Sequence, residues 1–408
     1  MVKEMKKTSL GLLPNDWDVD ILEHHLKIQT GSRNTEDKQE NGKYPFFVRS
    51  SKIEHIDTYH YDCEAILTAG DGVGTGKVFH YINGKFDAHQ RVYILTEFEG
   101  IKGKYFYYYF RENFLKEVSK YTAKSSVDSV RRDMIAKMAV PIPKIEEQVA
   151  IAEALSDVDS LISSLQKLIE KKKAIKQGAI QELLTGKKRL PGFSVEWRQA
   201  LFGDLFDFLP TNAFTRDQMT DNGTIQNVHY GDILTKYGAC LDMAKTDVPY
   251  LLESVSVRKY SESSYVRAGD VIIADTAEDS TVGKCVELVN VHGKVLSGQH
   301  TMLCRPKVTF APKFLGYYMN AGCFHNQMLP FITGIKVSSI SKANISTLVL
   351  KYPTLVEEQQ AIAQVFSDMD DEIAQLEKKL AKYQQIKQGM MQELLTGRIR
   401  LKEGETNA

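Results

Sequence analysis

A gapless internal repeat constrains this chain more strongly than any other feature of its sequence. Residues 146–190 match residues 357–401 at an offset of 211, and 25 of the 45 aligned positions are identical. Both copies begin with Glu-Glu-Gln, and both contain Gln-Glu-Leu-Leu-Thr-Gly near their end. A repeat of this length indicates one structural unit used twice, so we expect the 408 residues to form two equivalent halves.

Apolar residues inside each copy are spaced alternately three and four positions apart. They are Ile151, Leu155, Val158, Ile162, Leu165 and Ile169 in the first copy, and Ile362, Phe366, Met369, Ile373, Leu376 and Leu380 in the second. This spacing is typical of a helix that packs along another helix. Pro143 and Pro353 precede the copies, and the glycine of each closing Thr-Gly pair suits a left-handed C-cap. We predict two long helices paired as an intramolecular antiparallel coiled coil; a core helix or a homodimer zipper is the alternative.

A weaker similarity precedes each predicted helix. Leu13-Pro14 with Trp17 resembles Leu190-Pro191 with Trp197, and residues 65–78 parallel residues 269–286, each as strand, loop, Gly-Lys and strand. Both regions mix β-branched and aromatic runs with glycine and asparagine turns, and residues 105–114 and 312–320 predict short aromatic helices in matching places. The predicted fold class is α+β, with two α/β modules separated by two long antiparallel helices in a pseudo-twofold duplication. The predicted boundaries are 1–143 and 190–354 for the modules, 144–189 and 355–401 for the helices, and 402–408 for a tail.

This duplicated architecture suits a ligand that offers two separated sites. B-DNA presents equivalent major-groove faces about 34 Å apart. Because the modules differ in sequence while the helices agree, we expect two contacts that read different half-sites in opposite strand senses. The paired helices would set the distance between those half-sites.

The repeated segments also resemble a known family. The pattern EEQxAIAxxxSDxD, the IKQG segment and the QELLTG ending, each twice behind a divergent module, are similar to the specificity subunits of type I restriction-modification enzymes. The resemblance covers essentially the whole chain. It implies a non-catalytic subunit with two target-recognition domains that binds double-stranded DNA. It also implies two methyltransferase subunits that use S-adenosylmethionine and two restriction and translocation subunits that use ATP and Mg²⁺, with no cofactor or metal on this chain.

Composition and charge set further limits. The chain has 52 basic and 52 acidic residues, and this neutrality counts against a simple nucleic-acid binder, which normally needs a basic surface. Segregated charge, or a partner subunit, can supply part of the phosphate neutralisation. The sequence contains no signal peptide and no apolar run of about 18 residues, so we expect a cytoplasmic protein without a membrane span. Five scattered cysteines without a C-x-x-C pair are interpreted as reduced thiols.

Two segments imitate catalytic motifs. Residues 71–78 resemble a phosphate loop, but Asp71 and Val78 stand where glycine and Ser or Thr are needed, so we interpret them as a turn between strands. Asp247-Val248-Pro249-Tyr250 lacks the second proline of the D/N-P-P-Y/F signature of amino-group methyltransferases, and no glycine-rich cofactor loop precedes it. The histidines form no recognisable nucleophilic set, and we predict no catalytic residue.

Candidate DNA contacts are polar and basic residues in predicted loops, because these side chains read base edges and bind phosphates. In the first module they are Ser32, Arg33, Asn34, Arg49, Ser50, Lys77, His89, Gln90, Arg91, Lys124 and Ser125. In the second they are Thr211, Asn212, Arg216, Asn227, Arg258, Lys284, Gln299, His300 and Lys336. His89-Gln90 and Gln299-His300 fall in corresponding places. For each residue a solvated polar loop is the alternative.

Lysines also cluster on the predicted helices. The first helix carries Lys167, Lys171, Lys172, Lys173 and Lys176, and the second carries Lys378, Lys379, Lys382 and Lys387. Such a run is usually a solvated face, and here it is also a candidate contact for spacer DNA or a methylase.

Two other functions stay open from the sequence. One is a scaffold that joins proteins and ignores DNA, and the other is the specificity arm of a fused methylase-nuclease. A salt-dependent affinity for duplex DNA would argue against the scaffold, and methyl transfer by the chain alone would support the fused enzyme.

Overall fold

The computed structural model describes residues 4–121, 129–278, 281–334 and 336–401. The chain divides into two compact units, one formed by Met1–Lys167 with Lys378–Ala408 and the other by Leu168–Glu377. The boundary between them falls inside both repeated segments. Each unit therefore holds one module, the first part of the helix that follows it and the last part of the other helix. We call the module of unit 1 domain 1 and that of unit 2 domain 2.

The elements of unit 1 follow one another along the chain in this order. Its strands are β1 (Met5–Thr8), β2 (Gly11–Pro14), β3 (Asp18–Ile21), β4 (Lys27–Thr30), β5 (Tyr44–Phe47), β6 (Glu54–Ile56), β7 (Tyr61–Ala69), β8 (Phe79–Ala88), β9 (Val92–Thr96) and β10 (Ala139–Ile142). Its helices are α1 (Gly103–Ser119), α2 (Arg132–Ala136) and the start of α3 (Ile145–Leu183). Part of the last helix of the chain completes the unit.

Unit 2 begins inside α3 and contains the remaining elements. Its strands are β11 (Arg198–Leu201), β12 (Phe206–Leu209), β13 (Met219–Thr220), β14 (Ile225–Val228), β15 (Cys240–Asp242), β16 (Tyr250–Leu251), β17 (Val271–Ala274), β18 (Thr276–Ala277), β19 (Cys285–Val289), β20 (Lys294–Ser297), β21 (Thr301–Pro306), β22 (Ser338–Ser339) and β23 (Val349–Tyr352). Its helices are α4 (Phe202–Leu205), α5 (Tyr230–Thr235), α6 (Phe314–Asn320), α7 (Gly322–His325), α8 (Lys342–Ser346) and the start of α9 (Val356–Leu394).

Domain 1 is built on a six-stranded sheet in the order β4-β9-β7-β8-β5-β6. The β5–β8 pair is parallel and the other pairs are antiparallel. Successive residues of β7 point to opposite faces, so Ile66 packs against the aromatic side of α1 while Leu67 joins a second core with Phe47 and Phe86. Hydrogen bonds from the Gly31 and Arg33 amides to the Val92 and Ala88 carbonyls bring the end of β8 back beside β4.

Domain 2 repeats the first four strands of this order, with one strand divided and with β15 added parallel to β19. β12 pairs with β21, β21 with β17, and β17 with β19, as β4, β9, β7 and β8 do in domain 1. The partner of β14, the counterpart of β5, is the separate strand β20. Asn290 and Gly293, which both have positive φ angles, lie in the break between β19 and β20. The single bent strand β8 of domain 1 is thus two strands in domain 2, and they belong to two sheets.

The two 39-residue helices pair antiparallel within each unit. In unit 1, Ile151 and Leu155 pack with Met391 and Leu394, and in unit 2 Leu183 packs in one cluster with Ile362 and Phe366. The polar contacts repeat as well. Lys387 binds Asp159, which also accepts a hydrogen bond from Tyr108 at 3.0 Å. Lys176 binds Asp370, which accepts one from Tyr317 at 2.9 Å.

A buried carboxylate joins each module to the helix ends. In unit 1, Glu147 binds Arg400 and accepts a hydrogen bond from the Trp17 indole at 3.0 Å. In unit 2, Glu358 binds Arg189 and accepts one from Trp197 at 3.3 Å. The tryptophan indole and the arginine together satisfy a carboxylate that burial would otherwise destabilise. The predicted fold class, two α/β modules with two long antiparallel helices in a duplicated arrangement, is confirmed.

Candidate nucleic-acid interface

Four loops of domain 1 meet in one cluster. They are the chain after β4, the chain after β5, the 70–78 loop after β7, and the β8–β9 turn. The His89 amide donates to the Phe47 carbonyl at 2.9 Å, and the Gly70 amide donates to the Arg91 carbonyl at 2.8 Å. These bonds bring together most of the candidate residues of this domain, and we call the group the loop cluster of domain 1.

Arg33 and His89 serve the interior of this cluster. The Arg33 guanidinium donates to the Asp87 carboxylate at 2.9 Å and to the Thr58 hydroxyl at 2.9 Å, and the Asp87 side chain is fully buried. Nδ1 of the buried His89 accepts a hydrogen bond from the Arg91 amide at 3.0 Å. Burial, and then the charge of Arg49, lowers the pKa of His89, which keeps the ring neutral and able to accept. Both side chains are therefore occupied inside the domain.

Arg49 and Arg91 share one carboxylate at the surface of the cluster. Nη1 of Arg49 lies 2.8 Å from Oδ1 of Asp71, and Nε of Arg91 lies 3.7 Å from Oδ2. The three side chains are 47 %, 65 % and 27 % exposed for Arg49, Arg91 and Asp71. Beside them a cleft of about 300 Å³ is lined by Thr30, Gly70, Gln90, Tyr93, Ser129 and Val130 as well as Asp71 and Arg91. Of the two accessible guanidinium groups, that of Arg91 thus lies at a concave surface.

The remaining candidates of domain 1 are mostly exposed. Gln90 donates to Asn34 at 2.9 Å, Ser50 donates to the Lys52 carbonyl, and Ser32 and Lys77 are exposed. Lys77 lies on the 70–78 loop, where the Thr75 amide bonds to the Gly72 carbonyl and the Val78 amide to the Gly74 carbonyl. The loop is therefore a compact turn between β7 and β8. Lys124 and Ser125 lie outside the described residues.

In the corresponding loop cluster of domain 2, the candidate residues bind one another or a buried aspartate. The Asn212 side chain donates to Asn227 at 2.6 Å, and both side chains are buried. Arg216 binds the buried Asp232 at 2.9 Å and approaches Nδ1 of His229 at 3.3 Å. Burial, and then the charge of Arg216, lowers the pKa of His229. These candidates, like Arg33, are engaged in contacts inside the domain.

The strand register aligns the turns of the two domains. Ala69 lies opposite Val92 in domain 1, as Ala274 lies opposite Thr301 in domain 2. The Asp275 amide donates to the His300 carbonyl as the Gly70 amide does to that of Arg91. His300 therefore occupies the position of Arg91, and Gln299 that of Gln90, so the predicted correspondence of His89-Gln90 with Gln299-His300 is wrong by one residue. The His300 ring packs on Tyr230 with centroids 5.2 Å apart, beside a cavity of about 500 Å³ that Thr276 and Val337 also line.

The other candidates of domain 2 are dispersed. Lys284 donates to the Leu234 carbonyl at 3.0 Å, and burial lowers its pKa. Arg258 and Lys336 are exposed, and Thr211 is half-buried. In the Asp247–Tyr250 segment, Val248 is buried and the Pro249 carbonyl accepts from the Asn227 amide at 2.8 Å.

Asp71, Tyr230 and Thr276 were not among the sequence candidates. In the sequence Asp71 is only a mismatch to the glycine of a phosphate loop, and its contacts with two arginines appear only in the structure. Tyr230 and Thr276 carry no sequence signal beyond their position near strand ends.

In the described part of the chain, no group of three or more His, Cys, Asp or Glu side chains could hold a metal ion. The five cysteines are free. No helix within the described ranges has both the length and the apolar character that crossing a membrane requires.

The chain has two α/β domains with equivalent loop clusters, and each domain is joined to one of two matched, paired helices. These features define a two-domain recognition protein. The family comparison identifies the kind: residues 14–177 and 194–388 each match the type I restriction modification DNA specificity domain. The chain belongs to this family, and it is a type I restriction-modification specificity subunit that recognises DNA sequence.

Relatives agree with this assignment. The specificity subunit of the type I restriction enzyme EcoDI from Escherichia coli is 29 % identical over 194 residues, which are 47 % of this chain and 41 % of that protein. That of MjaVIII from Methanocaldococcus jannaschii is 23 % identical over 430 residues, covering 96 % of this chain and 94 % of the relative. Thus the chain aligns with less than half of the first relative and nearly all of the second.

Solved structures share the fold. The type I restriction-modification S subunit from M. genitalium superposes with a TM-score of 0.62 at 15 % identity, covering 97 % of this chain and 99 % of that one. A chain from a study of complex assembly and conformational transition of the type I restriction-modification system gives 0.52 at 14 % identity, covering 95 % and 99 %.

Proposed function

We propose that this chain reads a bipartite, asymmetric site in double-stranded DNA and directs partner methyltransferase and restriction subunits to it. The observation that carries the proposal is the pair of equivalent loop clusters with different side chains. Arg91 in domain 1 is replaced by His300 in domain 2, and Asp71 is replaced by Thr276. Equivalent loops with different chemistry suit two unlike half-sites.

In this mechanism the chain supplies recognition and no covalent step. Exposed basic and polar side chains of the loop clusters contact phosphates, which fix the register of the duplex, and base edges, which specify the sequence. Each methyltransferase then takes an adenine out of the stack, at an unstacking cost of about a few kcal/mol. S-adenosylmethionine, ATP and Mg²⁺ belong to the partner subunits. Because this chain is formally neutral, those subunits also supply part of the positive charge.

Duplex binding at several salt concentrations tests this function. With the methyltransferase present, the logarithm of the affinity should fall linearly with the logarithm of the salt concentration, because phosphate contacts release condensed counterions. An identical mixture without this chain controls for binding by the partner. Failure of this chain to add salt-dependent affinity would favour a protein scaffold, and methyl transfer by this chain alone would favour a fused enzyme.

The helices offer a surface for the methyltransferase. Lys171, Ile175, Gly178 and Glu182 on α3 are matched by Lys382, Ile386, Gly389 and Glu393 on α9. Their spacing of four, three and four places each set on one helix face. Ile175 and Ile386 are 46 % and 38 % exposed, and a Cβ at Gly178 or Gly389 would meet no atom within 4 Å. We call these the stripe of α3 and the stripe of α9.

Identity at exposed positions is informative because substitution of an exposed side chain usually changes stability little. Some exposed neighbours on other faces differ between the copies, as Lys173 and Ala174 do from Gln384 and Gln385, whereas Gln177 and Gln181 are matched by Gln388 and Gln392. A glycine in a helix interior costs about 1 kcal/mol relative to alanine, yet both copies have one. Two identical stripes suit two copies of one partner, whose surface approaches the helix closely at the glycine.

Substitution of the glycines tests this docking surface. Gly178→Gln and Gly389→Gln should each weaken the complex with the methyltransferase, since the new side chain fills the space that the partner needs, while the fold stays intact. Ala174→Gln is the matched control, because it places the same side chain on the same helix where the other copy already has glutamine. Titration calorimetry of partner binding gives the comparison; unchanged affinity in both glycine variants would remove the stripes from the interface.

A further inference from the structure

The carboxylate that holds each arginine determines whether that arginine is available for DNA. Arg33 and Arg216 bind Asp87 and Asp232, whose side chains are 0 % and 1 % exposed. Withdrawal of Arg33 would leave the buried Asp87 without a basic partner, and withdrawal of Arg216 would leave the buried Asp232 with Lys236 alone, at 3.0 Å. Both changes are unfavourable, because the charge of a buried carboxylate needs compensation. Arg49 and Arg91 bind the partly exposed Asp71, where an ion pair contributes little to stability. Only an ion pair with a partly exposed carboxylate can be replaced by a contact with DNA at a small cost in free energy.

Within the Asp71 pair, Arg91 is the easier side chain to release. It is the more exposed of the two arginines, and its nitrogen lies farther from the carboxylate. If Arg91 turns toward a ligand, Arg49 remains 2.8 Å from Asp71 and keeps that carboxylate compensated. Arg49 can therefore stay bound to Asp71 while Arg91 leaves to contact a ligand.

The backbone of Arg91 is fixed although its side chain is 65 % exposed. Its amide donates to Nδ1 of His89 at 3.0 Å, and its carbonyl accepts from the Gly70 amide at 2.8 Å. The residue lies on the β8–β9 turn beside the 300 Å³ cleft. A fixed main chain with an exposed guanidinium at a concave surface suits direct readout, since only the side-chain torsions remain to be ordered on binding.

We propose that Arg91 reads a guanine in the half-site bound by domain 1, with Asp71 as the positioning residue that holds the guanidinium at the cleft until DNA binds. Arginine pairs in bidentate fashion with O6 and N7 of guanine in the major groove. The proposal rests on the proposed function and adds the residue, the base and the role of Asp71. In domain 2, His300 stands at the position of Arg91, so the second half-site lacks this contact.

The experiment starts from the DNA motif that the wild-type chain with its methyltransferase selects from randomised duplexes. Arg91→Ala should relax one guanine in one half-site and leave the other half-site unchanged, with a loss of discrimination of about 5- to 150-fold. Arg198→Ala, which removes an exposed arginine of domain 2 that is not among the candidate DNA contacts, is the matched control and should leave that guanine preferred.

A modified base separates this contact from a general loss of binding. A duplex with 7-deazaguanine at that position lacks the N7 acceptor, so it should weaken binding by the wild-type chain but not by Arg91→Ala. Asp71→Asn should lower the preference for guanine while raising affinity for unrelated duplexes, because it removes a negative charge near the phosphates. A defect in folding would instead lower both the preference for guanine and the affinity for unrelated duplexes.

The outcomes distinguish this inference from the proposed function. Absence of any bipartite motif for the wild-type chain would reject the function itself. A bipartite motif whose base preferences all survive Arg91→Ala would reject only the guanine contact. Uniform weakening with a shallower salt dependence would also reject it, since that result identifies a phosphate contact.

Discussion

Arginines that look alike in the sequence have different roles when the carboxylates that they bind differ in burial. Arg33 and Arg49 are both loop arginines of domain 1, but Asp87 is fully buried whereas Asp71 is partly exposed. Arg33→Ala should lower the free energy of unfolding by about 3 kcal/mol, because it strands a buried charge. Arg49→Ala should lower it by less than about 1 kcal/mol. Urea denaturation of the two variants measures the difference, and equal losses would contradict this assignment of roles.

Two buried histidines give the chain a pH dependence. Nδ1 of His89 and of His229 accepts a backbone amide, at 3.0 and 3.1 Å, and burial lowers both pKa values. A lowered pKa favours the neutral ring in the folded state, so this stability is present above the unfolded pKa of about 6.5 and is lost as the pH falls through the folded pKa.

The pH dependence is tested by comparing variants with the wild type. His89→Asn and His229→Asn supply an amide oxygen that does not titrate, so thermal unfolding should depend less on pH between about 7.5 and 5 than in the wild type. Burial raises the pKa of Glu287 to about 7, but that residue is present in all three proteins and its titration cancels in the comparison. Parallel pH profiles would show that neither histidine is involved.

The sequence predicted the kind of residue in the loop clusters but not their partners. Arg33 and Asp87 are 54 positions apart, and their contact depends on β8 returning to β4. Asp71 shows the reverse case, because the sequence presents it only as a mismatch to a phosphate loop and its two arginine partners are distant along the chain. DNA contact by the twenty candidate residues stays a prediction.

At the scale of elements, the periodicity of apolar residues was enough to predict the long helices but not the arrangement of the sheets. The spacing of apolar residues predicted two long helices, and each is a continuous helix of 39 residues. The division of one strand into β19 and β20 was not predicted. Asn290 and Gly293 lie at this division with positive φ angles. In the sequence they are ordinary turn residues, and nothing there indicates that the flanking strands join different sheets.

The helix glycines provide a prediction at this scale. Gly178→Ala and Gly389→Ala should each raise the free energy of unfolding by about 1 kcal/mol, because a Cβ there meets nothing and alanine favours the helix. Gly186→Ala should destabilise instead, since its φ is 70°. Thermal unfolding of the isolated chain measures all three, and destabilisation by the first two would show that the helix needs glycine at those positions.

For the whole molecule, duplication preserves contacts inside the fold while the recognition surface changes. Lys387 with Asp159 and Lys176 with Asp370 are the same pair in two copies. At the loop clusters, by contrast, arginine and aspartate in domain 1 stand where domain 2 has histidine and threonine. A chain that repeats its framework and varies its loops is suited to reading two unlike sequences.

Selection of duplexes from a randomised pool by the chain with its methyltransferase tests the central claim most directly. Sequencing of the retained DNA should give two short, unlike motifs separated by a fixed number of unspecified base pairs. One continuous motif, or no enrichment over the methyltransferase alone, would contradict a reading of DNA by two domains.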